Sequence, residues 1–334
     1  MLLHVPASRA TQRRKNETAE MESAPATTTS STQHGGGGGG HVFLLAFPEA
    51  HGHVNPILQL GRHLAAHHGL LPTLVTTRHV LSTLPPPPAP FRVAAISDGF
   101  DSGGMAACGD AGEYTRRLAE VGSETLRALL RSEAAAGRPP RVLVYDPHLP
   151  WAGRVARGAG VPAAAFFSQP CAVDVIYGEV WAGRVGLPVV DGGALRGLLT
   201  VELGPEDVPS FVKAPESYPP FLEAVLGQFD GLEDADDVLV NSFQELEPKW
   251  TDQPTTAKYI ESAWGNGVRI RRDKEGMVRK EEVERCIREV LESERKAEYR
   301  KNANRWMTKA KEAMKKGGCS NKNIAEFASK YASY

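Results

Sequence analysis

Short apolar runs alternate with longer amphipathic stretches from His41 onward. Nearly every residue within a run is apolar, which is typical of strands buried on both faces of a sheet. Helical patterns lie between several of these runs, and this order predicts βαβ units with a parallel sheet. The predicted strands cover residues 41–47, 73–76, 91–96, 141–145, 163–167 and 238–241.

The first crossover helix is predicted to begin at Asn55, a favourable N-cap, with Pro56 at the first helical position and Gly69 as its C-terminal stop. Residues 51–53 are therefore expected in the loop between the first strand and this helix. Ligands of open parallel sheets bind at the carboxyl ends of strands, so His53 lies where chemistry is expected. The apolar face of the helix consists of Ile57, Leu60 and Leu64.

The pattern changes after Lys249. Only residues 267–270 have the character of a strand there, and helical stripes account for the rest. The chain is accordingly divided into a disordered extension at 1–40, a sheet-containing lobe at 41–249 and a mainly helical remainder at 250–334. The stripes consist of Val283, Ile287, Val290 and Leu291, then Tyr299, Trp306, Ala310 and Met314, then Ile324, Phe327 and Tyr331.

The sequence His51-Gly52-His53 is the first candidate for chemistry. A dinucleotide-binding fold would place glycines here, so bound NAD is not expected. A His-x-His pair can ligate a metal, but no matching Cys, His or Asp cluster is evident in the sequence, and no metal is expected. The third reading is a general base, because histidine titrates near neutral pH.

Asp146 directly follows the predicted strand 141–145, so it is expected at the same sheet edge as His53. A carboxylate beside an imidazole fixes the tautomer of the ring and stabilises the imidazolium that forms. The other ring nitrogen can then take a proton from an acceptor hydroxyl. Asp146 can equally cap the helix that follows, and the two roles are compatible.

Composition and charge narrow the function classes. The formal net charge of −1 gives no bias towards nucleic acid, although residues 269–316 contain 17 basic against 10 acidic side chains. Such an excess of basic side chains on helices more often forms a solvated face than a binding surface. No apolar run approaches the ~20 residues that span a bilayer. Four scattered cysteines fit a reducing compartment, and a cytoplasmic monomer is expected.

Five segments together resemble the plant family-1 UDP-glycosyltransferases, in the same order as in that family. The resemblance extends over nearly all of residues 41–334 and implies an α/β fold of the GT-B type, with a doubly wound parallel N-terminal lobe. It implies inverting transfer of glucose from UDP-glucose, without a metal or other cofactor, to a phenolic, flavonoid or hormone. The five segments are residues 47–56 (FPEAHGHVNP), 144–151 (VYDPHLPW), 166–173 (FFSQPCAV), 240–247 (VNSFQELE) and 250–259 (WTDQPTTAKY).

The resemblance also implies roles for individual residues. His53 corresponds to the general base of the family and Asp146 to its partner. Asp252 and Gln253, with Trp250 beside them, match the end of the signature box, where the donor sugar is held. The acceptor pocket is less specific, since core packing explains the aromatic candidates equally well. These candidates are Phe47, Trp151, Phe167 and Ser168.

One departure from the family is large. Lys249 runs directly into Trp250, where the family has most of its second sheet and the nucleotide-binding part of the signature box. We expect on the order of a hundred residues to be missing. The lost contacts to uracil, ribose and diphosphate predict little or no transferase activity. The alternatives are a catalytically inactive acceptor-binding protein and an incomplete gene model.

Overall fold

A computed structural model of the chain describes residues 3–6, 40–199, 201–243, 246 and 253–332; for 3–6, 253 and 254 it describes the backbone only. The strands are β1 (Leu3–Pro6), β2 (His41–Leu45), β3 (Leu71–Thr77), β4 (Arg92–Ile96), β5 (Val142–Tyr145), β6 (Ala163–Phe167) and β7 (Asp237–Val240). They form one sheet in the order β1-β7-β6-β5-β2-β3-β4, and the β2–β3, β2–β5, β3–β4 and β5–β6 pairs are parallel. The predicted parallel α/β sheet is therefore confirmed.

Helices connect these strands and continue after the last of them. Short 3₁₀ turns lie at Gly193–Leu195, Pro205–Asp207, Pro215–Ser217 and Leu232–Asp234. The helices are α1 (His51–His68), α2 (Arg78–Thr83), α3 (Gly104–Cys108), α4 (Ala111–Ala135), α5 (Pro150–Gly158), α6 (Cys171–Trp181), α7 (Ser210–Lys213), α8 (Pro219–Gly227), α9 (Gln253–Ser262), α10 (Lys280–Glu292), α11 (Lys296–Met314) and α12 (Cys319–Ala332).

The described residues group into two structural units. The first, here called the sheet unit, comprises His4–Phe166, Asp230–Leu239 and Ala325–Tyr334; the second, the helical unit, comprises Met1–Leu3, Phe167–Phe229 and Val240–Ile324. Neither boundary coincides with the predicted division at 249, which lies outside the described residues. The predicted domain limits therefore stay a prediction. Strand β1 lies within the predicted disordered extension, and residues 7–39 lie outside the described residues.

The first helix begins earlier than the sequence predicts. Helix α1 starts at His51 and not after Asn55, with Ala50 at the N-cap and Pro56 inside the helix. The amides of His53 and Val54 both donate to the Ala50 carbonyl at 2.9 Å. Pro56 has no backbone N–H, so it removes one hydrogen bond near the start of the helix. His53 consequently lies on the first helical turn and not in a loop.

The core of the sheet unit follows the apolar pattern of the sequence. The central strands β2, β5 and β6 are buried along their whole length. Helix α1 buries Ile57, Leu60 and Leu64 against this sheet and ends at Gly69, whose φ of 66° lies in the left-handed region. Both features confirm the prediction. Burial of such side chains contributes about 1.5–3 kcal/mol each.

Helix α12 is anchored to β7 by a polar contact. Asp237, only 1% exposed, accepts a hydrogen bond from the Tyr331 hydroxyl and one from Lys330 Nζ at 2.8 Å. Phe327 packs beside Tyr331 with ring centroids 5.1 Å apart. The apolar stripe predicted for this last helix therefore covers the sheet unit within residues 325–332.

Helix α10 is different. Its predicted stripe is not covered, because Ile287 and Leu291 are 53% and 57% exposed. Among the described residues 253–332 all regular elements are helices, and residues 267–270 form no strand, contrary to the sequence-based expectation. The helices of this region therefore have no strand of their own region to pack on.

Gly61 provides a test of the packing between α1 and the sheet. A Cβ at this position would lie 2.6 Å from Leu44 Cδ1 and 2.7 Å from Phe91 Cε1, and Leu44 is completely buried. Overpacking of this kind costs about 1–3 kcal/mol, which exceeds the gain in helix propensity of about 0.8–1.0 kcal/mol. We therefore expect Gly61→Ala to lower the free energy of unfolding, as measured by urea denaturation.

The matched control is Gly52→Ala on the same helix, where a Cβ would meet nothing within 4 Å. This variant should be as stable as the wild type or up to about 1 kcal/mol more stable. Equal stability of the two alanine variants would contradict the described packing of Gly61.

Candidate active site

Two adjacent strands of the sheet unit end beside each other and bring two distant segments together. Strand β2 leads through residues 46–50 into α1, and β5 ends at Tyr145, directly before Asp146. The register pairs Leu45 with Tyr145. His53, on the first turn of α1, consequently faces the carboxylate that follows the neighbouring strand.

The His53–Asp146 contact is short and shielded. His53 Nδ1 lies 2.6 Å from Asp146 Oδ2, and the carboxylate side chain is 3% exposed against 26% for the imidazole. An ionised carboxylate can only accept, so Nδ1 carries the proton and donates it. The lone pair of the neutral ring is then on Nε2. This tautomer is the one that general-base chemistry requires.

A second imidazole holds the other carboxylate oxygen. His148 donates to Asp146 Oδ1 from both its backbone N and its ring Nδ1, at 3.0 Å each. The rings of His53 and His148 contact each other edge to face, with centroids 5.1 Å apart and an interplanar angle of 86°. Asp146 is thus fixed between two histidines, and neither of its oxygens can rotate away without losing a hydrogen bond.

The two partners shift each other's pKa in opposite directions. Burial alone would lower the pKa of His53, but the hydrogen bond and the negative charge of Asp146 outweigh it, and the pKa lies above the ordinary value. Burial alone would raise the pKa of Asp146, but the hydrogen bonds from His148 and His53 outweigh it and hold the pKa well below the ordinary value. Asp146 therefore stays ionised while His53 titrates.

These shifts predict the effect of removing the charge. In Asp146→Asn the burial of His53 is no longer opposed by a carboxylate, so its pKa should fall below that of the wild type. The measurement is an NMR titration of the imidazole Hε1 resonances in both proteins. The matched control is His41, whose pKa is lowered by burial elsewhere in the sheet unit and should be the same in both. An unchanged His53 midpoint would contradict the described pair.

The turn before α1 has an unusual backbone. Glu49 has a φ of 61°, the one positive value outside glycine among the described residues. Its carboxylate accepts a hydrogen bond from the amide of Met105 at 3.4 Å, which ties the turn to α3. Non-glycine residues in this region cost energy and cluster at functional sites. Glu49, with this strained backbone, lies four residues before His53.

The predicted acceptor residues are distributed over both units. Phe47 lies in the site itself, because its amide points to Asp146 Oδ2 at 3.4 Å and its ring is 6.1 Å from that of His53. Trp151 is 6% exposed, and its ring packs so closely against Gly122 that a Cβ added to this glycine would lie 2.7 Å from the ring. The structure therefore places Trp151 in the core.

Phe167 and Ser168 lie in the helical unit, Phe167 with 3% exposure and a ring 6.0 Å from Phe229. Trp250 and Asp252 lie outside the described residues, and the structure describes Gln253 only as the first residue of α9. The donor-sugar assignments therefore stay predictions. A cavity of about 1080 Å³ in the helical unit is lined by none of the predicted site residues; its basic lining includes Lys213, Lys258 and Arg271.

His148 is the functional candidate that sequence reasoning missed. Its signal is the Asp-Pro-His sequence at 146–148, because an aspartate commonly bonds the backbone two residues on and turns the chain there. The bond from His148 N to Asp146 Oδ1 is this turn. His53, Asp146 and His148 also offer ligand atoms within 4.8 Å of one another, a cluster that the sequence alone did not reveal.

The sequence of the chain is similar to those of known proteins. The chain is 45% identical to UDP-glucosyltransferase UGT13248 of barley (Hordeum vulgare subsp. vulgare), over 87% of this chain and 94% of the relative. It is 44% identical to UDP-glycosyltransferase 79 of rice (Oryza sativa subsp. japonica), over 87% and 97% respectively. No family model matches the chain.

The chain also superposes on solved structures of such proteins. The structure of rice Os79 in complex with U2F and a trichothecene superposes with a TM-score of 0.82 and 44% identity, covering 87% of this chain and 100% of that one. A UDP-glucosyltransferase from Polygonum tinctorium, 14% identical, superposes with a TM-score of 0.63 over 89% of this chain and 99% of that one, which shows a shared fold.

No described helix is both long and apolar enough to cross a membrane.

The alignment with the barley relative also measures the missing stretch. It spans 449 positions, whereas 87% of 334 residues is about 290, so about 160 positions of the relative have no counterpart in this chain. This is the same order as the hundred residues expected from the sequence.

Proposed function

Because the chain belongs to the plant UDP-glycosyltransferase family, we propose that it transfers glucose from UDP-glucose to an oxygen of a small acceptor, with His53 as the general base. Membership follows from the identity and coverage shared with the barley and rice relatives. The observation that supports the chemistry is the 2.6 Å contact between His53 Nδ1 and Asp146 Oδ2.

In the proposed reaction, His53 takes the proton of the acceptor. Nε2 of neutral His53 takes the proton of the acceptor hydroxyl as the oxygen attacks the anomeric carbon, and UDP leaves from the opposite face with inversion. The positive charge that develops on the ring is stabilised by Asp146, a positioning residue that does not touch the acceptor. General-base catalysis of this kind contributes about 10²–10⁴-fold to the rate.

The donor-binding part of the chain departs most from the family. By resemblance, Trp250, Asp252 and Gln253 hold the hydroxyls of the sugar, and no metal or other cofactor takes part. In the family, helix dipoles and hydrogen bonds hold the diphosphate, and those contacts belong to the stretch that is missing here. About 160 positions of the relative are absent from this chain. We expect a high KM for UDP-glucose and a low kcat/KM, because the nucleotide contacts supply most of the donor affinity.

The acceptor is proposed from the more similar relatives. Rice Os79, at 44% identity, has been solved with a trichothecene, whereas the Arabidopsis flavonol 7-O-β-glucosyltransferase is 25% identical to this chain. We therefore rank a trichothecene-like polycyclic alcohol above the flavonoid or hormone expected from sequence. A monomer in the cytoplasm is part of the same proposal, and the four cysteines, present as thiols, are compatible with a reducing compartment.

The test is product formation with a panel of acceptors. Purified chain is incubated with saturating UDP-glucose and trichothecene, flavonol and phenolic-acid acceptors, and glucosides are measured by mass spectrometry. A glucoside with trichothecene as the best acceptor supports both parts of the proposal. A glucoside of another acceptor overturns only the acceptor class.

A second candidate function is favoured by the missing positions. A chain that binds the acceptor but not the donor would act as an acceptor-binding protein. Calorimetric titrations with UDP and with the acceptor separate the two functions. Acceptor binding without UDP binding and without product would replace the transferase proposal by this one.

A further inference from the structure

Three side chains at the candidate active site form the donor set of a metal site. We propose that His53, Asp146 and His148 bind a divalent transition-metal ion with affinity for imidazole, such as Zn²⁺, and that the bound ion inhibits the site. Their ligand atoms lie within 4.8 Å of one another. Metal binding rests on this geometry alone, whereas inhibition also rests on the proposed function of His53.

The chemistry of the three groups selects the kind of ion. Two imidazole nitrogens and one carboxylate are ligands that zinc takes, and three protein ligands leave a fourth position to water. Ca²⁺ and Mg²⁺ prefer oxygen ligands and would gain little from the imidazoles. An exogenous ion has access, because the imidazole of His53 is 26% exposed.

The present separations require a small adjustment. Zinc ligands lie about 2.0–2.2 Å from the ion, so neighbouring ligand atoms around a tetrahedral ion are ~3.3–3.6 Å apart. His53 Nδ1 and His148 Nδ1 are now 2.6 and 3.0 Å from the Asp146 oxygens. The two contacts must therefore open by less than about 1 Å. Rotation of the partly exposed His53 ring supplies part of this change.

The proton balance explains why the ion would inhibit. In neutral His53 the proton is on Nδ1, where it is donated to Asp146. An ion that binds Nδ1 displaces this proton, which moves through solvent to Nε2, and the ring enters the metal site as a neutral ligand. The Nδ1 proton of His148, which is donated to Asp146 Oδ1, moves through solvent to Nε2 of that ring in the same way. Nε2 then carries a hydrogen and cannot accept the proton of an acceptor hydroxyl. Inhibition follows from the tautomer even where the ion leaves room for the acceptor.

A second imidazole cluster makes a control necessary. At the end of α1 the ring centroids of His63 and His67 are 4.5 Å apart, and those of His63 and His68 are 5.6 Å apart. Histidines at positions i and i+4 share one face of a helix and can also attract a metal. Binding of zinc to the chain is therefore informative only when its site is assigned.

The experiment measures Zn²⁺ affinity by competition with a chromophoric chelator, without donor or acceptor. We expect His148→Ala and His148→Gln each to weaken the affinity at least tenfold. The double variant His63→Ala/His67→Ala should stay within twofold of wild type. In the wild-type chain, long-range ¹H–¹⁵N spectra should show zinc-dependent shifts at Nδ1 of His53 and His148, so the assignment holds even where a variant does not fold.

Two results would overturn the proposal. One is unchanged affinity in both His148 variants; the other is zinc-dependent shifts confined to His63, His67 and His68. Neither result bears on transfer, since no substrate is present. Conversely, a chain that forms no glucoside can still bind zinc at His53 and His148, so failure of the proposed function and failure of the metal site are distinguished.

Discussion

Replacement of His53 by alanine is expected to lower the rate of glucoside formation by about 10²–10⁴-fold, the range that general-base catalysis supplies. The reason is that His53 presents its imidazole to Asp146 from the first turn of α1, where the register of β2 and β5 aligns the two segments. The measurement is the initial rate at saturating UDP-glucose and acceptor.

The matched control is His51→Ala, an exposed histidine on the same helical turn. It should change the rate by less than about threefold, since surface substitutions of this kind rarely disturb a fold. A His53→Ala rate equal to that of His51→Ala would remove His53 from the chemistry. Comparable thermal unfolding of both variants shows that any difference is not a loss of structure.

Insertion of the missing segment is expected to raise the affinity of the chain for UDP by a factor similar to or greater than the rate loss in His53→Ala. A chimera that carries the roughly 160 unmatched positions of the barley relative between Lys249 and Trp250 restores the nucleotide contacts of the family. Each charge-assisted hydrogen bond contributes about 1.5–3 kcal/mol, and ~1.4 kcal/mol is tenfold in affinity. Three such bonds predict an increase in UDP affinity of about 10³-fold or more.

Calorimetry with UDP on the chain and on the chimera measures this increase. The chimera with His53→Ala is the control, because it should bind UDP as the parent chimera does but transfer glucose slowly. UDP affinity in this chain within tenfold of the chimera would contradict the account of the missing segment. It would mean that the described helices hold the nucleotide by other contacts.

Much of the fold could be predicted because its signals are local. The apolar runs at 163–167 and 141–145 correspond to β6 and β5 within one residue, since burial on both faces leaves a continuous pattern. Helix α1 begins earlier than the sequence predicts. Asn55 and Pro56 have the composition of a helix start, but the amide bonds to Ala50 extend the helix by a full turn before them.

The site was predictable only in part, for a geometric reason. Topology predicts that Asp146 and His53 lie at the same sheet edge, because carboxyl ends of parallel strands meet there. Nothing in the spacing predicts that His148 would occupy the second carboxylate oxygen, which depends on a turn and a rotamer. For Trp151 the sequence leaves an acceptor pocket and core packing equally open, and in the structure its ring packs beside Gly122.

In the C-terminal region, hydrophobic periodicity does not predict which helix faces are buried. The stripes of α10 and α12 look alike in sequence, yet Phe327 is completely buried while Leu291 is 57% exposed. Periodicity indicates which residues share a face, but not whether a surface is present to cover that face. Here β7 covers α12, and the sheet that the family places between Lys249 and Trp250 is missing from the sequence.

The most direct test of the central claim follows the sugar itself. Wild-type chain and His53→Ala are incubated with saturating ¹³C-labelled UDP-glucose and the best acceptor, and labelled glucoside is quantified over time by mass spectrometry, with its anomeric configuration determined by NMR. The account predicts a labelled β-glucoside from the wild type, formed at least about 100-fold faster than by His53→Ala. Equal rates in the two proteins, or an acceptor that binds and never gains the label, would contradict it.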